Sequence, residues 1–206
     1  MPPANGDGDR LIRLRRPTEA EIARCLAREE RPFSHAEVGA TDDLGSRLPE
    51  SLASTYDLDH HHFVLGSGRD RFERARAALE SWRQYEVPWL ELHGGSAPAR
   101  SGQVVATLVS LAGFWFLNPC RVVYTRFPSE PTDVVAFAYG TLEGHVLSGE
   151  ERFVVSFDPA SAQVHYEVAA FSRPAKLLSK LGYPFARRLQ RRFAAASAEA
   201  ITRAIG

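Results

Sequence analysis

The sequence predicts an α+β fold in which an antiparallel sheet curves around a long C-terminal helix. Six stretches after residue 86 are rich in Val, Phe and Tyr, and Gly, Pro, Asn, Asp or Ser separates them. The gaps between them are short, which favours an antiparallel meander because parallel strands need longer crossover connections. One strand and one helix precede these stretches, and an amphipathic helix follows them. This order of elements is the one expected of a helix-grip domain.

The elements of this domain begin with a strand at HHHFVLG (60–66) and a helix at RDRFERARAALESWRQY (69–85). The final segment, from Arg173 onward, is predicted to be helical throughout, with a kink or break at Gly182 and Pro184. The six later strands are predicted at 87–94, 102–113, 119–128, 133–142, 150–159 and 163–172.

The N-terminal part of the chain has a different character. Residues 1–9 are rich in Pro, Gly and Asp and are predicted to be a disordered tail. Residues 10–59 are predicted to be an extension packed on the domain, which itself covers 60–206. In this extension a helix begins after Thr18, which forms a capping box with Glu21. The remainder is a long irregular polar connection, which we interpret as a wrapping segment.

Composition limits the possible classes of function. Apolar residues make up 44% of the chain and charged residues 24%, as in ordinary globular proteins. The chain has 25 Lys and Arg residues and 25 Asp and Glu residues, so it carries no net positive charge that would attract a nucleic acid. The sequence has neither the apolar region of a signal peptide nor an apolar run of roughly 18 residues. We therefore predict a cytoplasmic protein without stable membrane insertion; its oligomeric state is left open.

The densest polar stretch is YGTLEGHVLSGEERF (139–153), and one interpretation of it is structural. Its central residues would connect two strands as a hairpin, with glycines at the turn positions that need positive φ. His145 would then lie at an exposed loop tip, and Glu150 and Glu151 would form a solvated strand start.

The other interpretation is that this stretch contains a site. Strand alternation places Glu151 on the same face as Phe153, so its carboxyl would lie among aromatic rings. Burial there would raise the pKa of Glu151 and suit it to acid or base chemistry, with His145 as its partner. The Tyr139 hydroxyl would orient a ligand carbonyl. Alternatively, Glu151 would be a buried ion-pair partner of Arg173 or of an arginine in the last helix.

The histidine run 60–62 suggests metal binding and the glycine turn 66–68 suggests phosphate binding, but the surrounding sequence supports neither function. Only His60 and His62 of the run could share an ion, and no further cluster has ligand spacing, so we predict no metal and no cofactor. The glycine turn lacks the lysine of a phosphate-binding loop. No Gly-x-Ser-x-Gly motif indicates a hydrolase.

The C-terminal helix is basic on one side and apolar on the other. The apolar stripe is predicted to close the sheet, so its arginines would form a solvated outer face. Aromatic residues of the kind that stack on bases do not interleave with them, so we predict no nucleic-acid partner. The basic residues from 173 to 206 are Arg173, Lys176, Lys180, Arg187, Arg188, Arg191, Arg192 and Arg203.

Five motifs together resemble a known family: EVGAT (37–41), VLGSGRDRFERARAAL (64–79), FAYGTLEGHVLSGEERFVV (137–155), AAFSRPAKLL (169–178) and RRLQRRF (187–193). They resemble the bacterial and plant family called domain of unknown function 1990, which is grouped with the START-like, helix-grip superfamily. The resemblance covers about residues 11–203 and implies a fold with a cavity, but no particular reaction. His35 departs from the family pattern, where a tyrosine is expected.

Three functional hypotheses follow. The first is a protein that binds an apolar or lipid-like small molecule between the sheet and the C-terminal helix, with Glu151, Arg173 and His145 as polar groups. The second is a cofactor-independent cyclase, lyase or hydrolase that uses Glu151 and His145. The third is a structural or interaction module whose aromatic core is filled. The predicted ligand-binding residues are Tyr124, Phe137, Tyr139, Phe153, Phe157, Tyr166, Arg173, Leu181 and Phe185.

Overall fold

A computed structural model describes residues 13–44, 48–111, 113–175 and 183–206, the last range without the side chains of 183–186. The helices in these ranges are α1 (Glu19–Leu26), α2 (Arg69–Glu80) and α3 (Tyr183–Ile205). The strands are β1 (Asp57–Ser67), β2 (Leu90–His93), β3 (Val104–Leu111), β4 (Phe114–Arg126), β5 (Val134–Thr141), β6 (Leu147–Asp158) and β7 (Gln163–Pro174).

All seven strands form one antiparallel sheet in the order β1-β7-β6-β5-β4-β3-β2. Strands β2 to β7 form a meander, and β1 pairs with β7 rather than with β2. Helix α2 lies between β1 and β2 in the chain, and α3 follows β7. The predicted helix-grip architecture, with a strand, a helix, six strands and a long helix, is therefore confirmed.

Several boundaries differ from the prediction. Helix α2 ends at Glu80 rather than at 85, because Trp82 adopts a left-handed φ of 62° and one 3₁₀ turn follows it. Strand β7 continues to Pro174, where a helix was predicted. The predicted domain boundary at 60 falls inside β1. Residues 1–12 and the predicted break at Gly182 lie outside the described residues.

The inner face of the sheet packs against α2 and α3, which also contact each other. Phe72 and Leu79 of α2 are fully buried, and so is Ile201 of α3. Burial of each such side chain stabilises the fold by about 1.5–3 kcal/mol. The rings of Phe137 and Phe153 lie opposite each other on neighbouring strands, with centroids 5.2 Å apart. This cluster is the main hydrophobic core.

The outer face is covered by the N-terminal segment, which we define as residues 13–44 and 48–56. Thr18 caps α1 through the predicted capping box, and Ile22 packs on β3 and β4. Further along, Leu52 and Tyr56 pack against Phe171 of β7. Because both faces are covered, the central strands β5 and β6 are buried along most of their length on both sides, so the polar residues of β6 need partners within the protein.

Candidate functional site

The two adjacent glutamates of the polar stretch lie on opposite faces of β6. Glu151 is paired across the strands with Tyr139 and shares the inner face with Phe153, as strand alternation predicts. Glu150 is 2% exposed and points to the outer face, where it meets the N-terminal segment. The stretch is thus both a hairpin and the meeting point of two separate polar clusters.

The inner cluster is built around the Glu151 carboxyl group. The Tyr139 hydroxyl donates a hydrogen bond to Glu151 Oε2. Burial raises the pKa of Glu151 to about 7; this hydrogen bond lowers it, and the charge of Asp59 raises it further. Burial and the charge of Glu151 raise the pKa of Tyr139 well above its usual value. Tyr139 therefore stays a donor, while Glu151 changes its charge near neutral pH.

A cavity of about 140 Å³ opens beside this pair, between the inner face and α3. One of its walls is apolar and consists of Trp89, Leu90, Val109, Leu189 and Phe193. The polar groups that line it include Tyr85, Tyr139, His145, Glu151 and Gln190. A mostly apolar concavity with a few placed polar groups is typical of a small-molecule site.

His145 also lines the cavity, at the turn between β5 and β6. The backbone N–H of Leu147 donates to its Nδ1 at 2.9 Å, so the ring proton of the neutral form lies on Nε2. Burial lowers the pKa of His145 to about 3. Because its Nδ1 accepts this hydrogen bond, His145 is suited to donate a hydrogen bond from Nε2. Within the described structure no hydrogen bond joins it to Glu151.

Neither predicted arginine partner of Glu151 contacts it in the described structure. The guanidinium of Arg173 lies over the ring of Tyr56, 4.8 Å from its centroid, on the outer side of the sheet. Arg187 of α3 forms an ion pair with Asp59, with 2.7 Å between Nη2 and Oδ1. The hydrogen-bonding partner of Glu151 is Tyr139 instead.

Three of the predicted ligand-binding aromatics belong to the filled core rather than to the cavity wall. Phe137, Phe153 and Tyr166 are completely buried, and the Tyr166 hydroxyl lies 3.2 Å from Ser197 Oγ. Phe157 lies farther along the sheet, beneath the guanidinium of Arg69 at 4.2 Å. The alternation of inner-facing residues predicts which face these rings occupy, but not which of them line free space.

Tyr124 was predicted to line the ligand pocket, but it lies on the outer face of the sheet. The pairing of β4 with β5 shifts between Val122 and Tyr124, and this bulge reverses the side-chain alternation. The Tyr124 hydroxyl donates to the carbonyl oxygen of Thr41 at 2.9 Å. Leu181 and the side chain of Phe185 lie outside the described residues.

The outer cluster holds the N-terminal segment on the sheet. The backbone N–H groups of Gly39 and Thr41 donate to Glu150 at 2.8 and 3.1 Å, and the Thr41 hydroxyl donates as well. These partners belong to the motif EVGAT (37–41), so that motif forms a cradle for a buried carboxyl group. His35 Nε2 lies 3.8 Å from the same carboxyl group, at the position where the family resemblance predicts a tyrosine.

Arg152 extends the outer cluster along β6. Its side chain is 1% exposed and donates to the carbonyl oxygens of Thr41 and Asp43 at 2.8 and 2.6 Å. It also pairs with Glu167 of β7 at 2.5 Å. A buried arginine needs such pairing because an uncompensated buried charge is strongly destabilising. The sequence prediction missed this cluster because its partners lie about a hundred residues apart.

Two glycines of the polar stretch are required by close packing. A side chain on Gly140 would meet the rings of Phe33 and His35 at 2.8–2.9 Å. A Cβ atom on Gly149 would lie only 1.9 Å from the carbonyl oxygen of Phe171 in β7. Gly140 thus lets the N-terminal segment lie on the sheet, and Gly149 lets β6 and β7 approach each other.

Gly149→Ala is expected to lower the free energy of unfolding by about 4 kcal/mol or more, since the clash is with backbone and not with a movable side chain. Urea denaturation followed by circular dichroism measures this change. Gly102→Ala is the control, because Gly102 has a φ of +84° with open space around it, and it is expected to cost about 1–2 kcal/mol. Equal stability of the two variants would contradict the packing argument.

His60 and His62 of the histidine run contact different neighbouring side chains. His60 Nε2 lies 3.0 Å from Glu167, and the His62 ring lies against His165 with centroids 4.7 Å apart. Among the described residues, no group of three or more His, Cys, Asp or Glu side chains could hold a metal ion. These side chains form a polar surface near the β1 edge of the sheet.

The sheet, the long helix and the cavity between them define this chain as a helix-grip protein. Residues 34–200 match the family described as "Domain of unknown function (DUF1990)", and the chain belongs to this family. It is 36% identical over 207 residues to a UPF0548 protein of Deinococcus radiodurans, covering 95% of this chain and 100% of that protein. It is 32% identical over 205 residues to a UPF0548 protein of Dictyostelium discoideum, covering 94% and 95%. The family therefore extends beyond the bacteria and plants expected from the sequence.

Solved structures with little sequence similarity share the fold. The hypothetical protein jhp0584 from Helicobacter pylori matches with a TM-score of 0.51 at 10% identity, covering 76% of this chain and 93% of that one. TTHA0849 from Thermus thermophilus matches with a TM-score of 0.50 at 10% identity, covering 72% and 97%. At this level of identity the likeness shows the fold alone. No helix in the described ranges is long and apolar enough to cross a membrane.

Proposed function

We propose that this protein binds an apolar small molecule in the cavity beneath α3, and that Glu151 and Tyr139 orient the polar group of the ligand. The observation that supports this most is the cavity itself, which lies beside a tightly packed aromatic core. Protein interiors contain few voids larger than a water molecule. The concavity is partly open to solvent, so its apolar walls face water unless an apolar occupant covers them, and covering them is favourable.

A cavity-filling variant tests the proposal. Val109 lines the cavity and is 6% exposed, so Val109→Phe places a ring in the proposed site. We expect a change of less than about 1.5 kcal/mol in the free energy of unfolding, since the added volume enters free space. We also expect the variant to lose binding of toluene and phenol, measured by ligand-observed NMR. Native mass spectrometry of the freshly purified parent would identify a bound molecule directly.

Val64→Phe is the matched control, since Val64 is 58% exposed on the edge strand β1 and the variant should bind as the parent does. Two results together would contradict the proposal. The parent would bind none of the probes, and Val109→Phe would lower the free energy of unfolding by about 1–3 kcal/mol, as expected when a larger side chain enters a filled core. That outcome would favour the structural or interaction module.

A second candidate function is cofactor-independent catalysis with Glu151 as the acid or base. One observation favours it: burial raises the pKa of Glu151 to about 7, which suits proton transfer at neutral pH. Once a ligand is known, Glu151→Gln should bind it as the parent does and lose at least about a hundredfold in turnover. Turnover that is unchanged in this variant would rule out the catalytic role.

A further inference from the structure

Among the described cavity-lining residues, Tyr85 has a buried hydroxyl that makes no hydrogen bond of good geometry, and its polar neighbour, the Tyr139 hydroxyl, already donates to Glu151. Tyr85 is 5% exposed and sits in the 3₁₀ turn that follows α2. Its ring lies beside that of Tyr139, with centroids 6.3 Å apart. Buried hydroxyl groups in native proteins nearly always have a partner, so a missing partner at a cavity wall points to a ligand group.

Three polar groups of the cavity lie together, and aromatic rings lie next to them. Tyr85 stands next to Tyr139, which itself donates to Glu151, so two phenol groups and one carboxyl group form one polar end. Next to this polar end, Phe193 packs against the Tyr85 ring with centroids 5.4 Å apart, and it meets Trp89 edge to face with centroids 6.4 Å apart. A ligand that satisfies both surfaces has an apolar ring or chain and one hydrogen-bonding group.

The size of the cavity restricts the apolar part. At about 140 Å³ it is close to the engineered 150 Å³ cavity that binds benzene, so it holds about one aromatic ring. A sterol or a long acyl chain would extend beyond this space into solvent. No lysine or arginine is among the lining residues that the structure describes, and Glu151 would repel an anion at the polar end. A carboxylate ligand is therefore disfavoured as well.

We infer that the ligand is a small, uncharged, single-ring molecule carrying a hydroxyl or carbonyl group, which bonds to Tyr85 beside Glu151 while its ring packs against Trp89 and Phe193. This inference rests on the proposed function, because it specifies the ligand class of the same cavity. It also replaces the lipid-like ligand expected from the sequence with a smaller and more polar one.

Phenol and toluene are suitable probes, since they differ by a hydroxyl in place of a methyl group. We expect the parent protein to bind phenol at least roughly tenfold more tightly than toluene, as measured by NMR titration at pH 7. Tyr85→Phe should reduce the affinity for phenol to about that for toluene and leave toluene binding unchanged. Tyr166→Phe is the control, because its hydroxyl lies near Ser197 in the core and not at the cavity. It should keep the preference for phenol.

The outcomes separate this inference from the proposed function. Equal affinities for phenol and toluene, or a preference that survives in Tyr85→Phe, would overturn the assignment of the polar end and leave the binding function intact. Tighter binding of benzylamine would overturn the uncharged class, and tighter binding of dodecanoic acid would overturn the single-ring class. If the parent binds none of the four probes and carries no co-purified molecule, both the inference and the proposed function fail.

Discussion

Glu150→Gln is expected to lower the free energy of unfolding by about 3 kcal/mol. The Glu150 carboxyl group accepts hydrogen bonds from two backbone N–H groups, of Gly39 and Thr41, and from the Thr41 hydroxyl. An amide presents N–H donors on one side, so at least one of these buried donors loses its acceptor and faces another donor. Each unsatisfied buried group costs about 1–3 kcal/mol.

Urea denaturation at pH 7 measures the loss, and amide hydrogen exchange locates it. Exchange should accelerate at Gly39 and Thr41 in the variant, while the amides of β5 keep their protection. The control is Arg126→Gln, which removes an exposed ion pair between the sheet and Asp42 of the N-terminal segment. This pair should contribute less than about 1 kcal/mol to the free energy of unfolding. Unchanged stability and exchange in Glu150→Gln would show that the carboxyl group does not hold the N-terminal segment.

Glu151→Gln is expected to have the opposite effect, and only at higher pH. The pKa of Glu151 rises from 4.5 to about 7 on folding, so between these values the folded state binds more protons than the unfolded state. The parent therefore loses stability as pH rises from 4.5 through 7, by about 3 kcal/mol in total at 1.36 kcal/mol per pKa unit. Glutamine stays neutral and escapes this loss.

Urea denaturation of both proteins at pH 4.5, 5.5, 7 and 8 provides the test. The variant should match the parent at the lowest pH and exceed its stability by about 3 kcal/mol at the highest. Both proteins contain His145, whose lowered pKa affects stability in the acid range, so the difference between them isolates Glu151. A difference that does not change with pH would contradict the burial of the Glu151 carboxyl group.

The sequence predicted the parts of this molecule that depend on local pattern. Residue-by-residue alternation along β5 and β6 placed Phe137, Tyr139, Glu151 and Phe153 on one face, because the strands there pair without interruption. Thr18 and Glu21 predicted the start of α1 by the same kind of short-range reasoning. Tyr124 was assigned to the wrong face because a bulge reverses the alternation, and no local signal marks that bulge.

The parts that could not be predicted depend on contacts between distant residues. Glu150 and Gly39 are separated by 111 positions, so their hydrogen bond follows from how the N-terminal segment crosses the sheet. Tyr85 was assigned to a helix, and its place at the cavity depends on the left-handed turn at Trp82. Whether a buried ring fills the core or lines a cavity depends on volumes that alternation does not encode.

The opposed directions of Glu150 and Glu151 constrain how chains of this kind can change length during evolution. Inserting or deleting one residue within β6 would exchange the two carboxyl groups between the faces, because side chains alternate with a period of two. Glu150 would then lie at the cavity and Glu151 beneath the N-terminal segment, and neither would meet its partners. Length changes should therefore accumulate in exposed connections such as 159–162, whereas strand β6 should keep a fixed length ahead of Phe153.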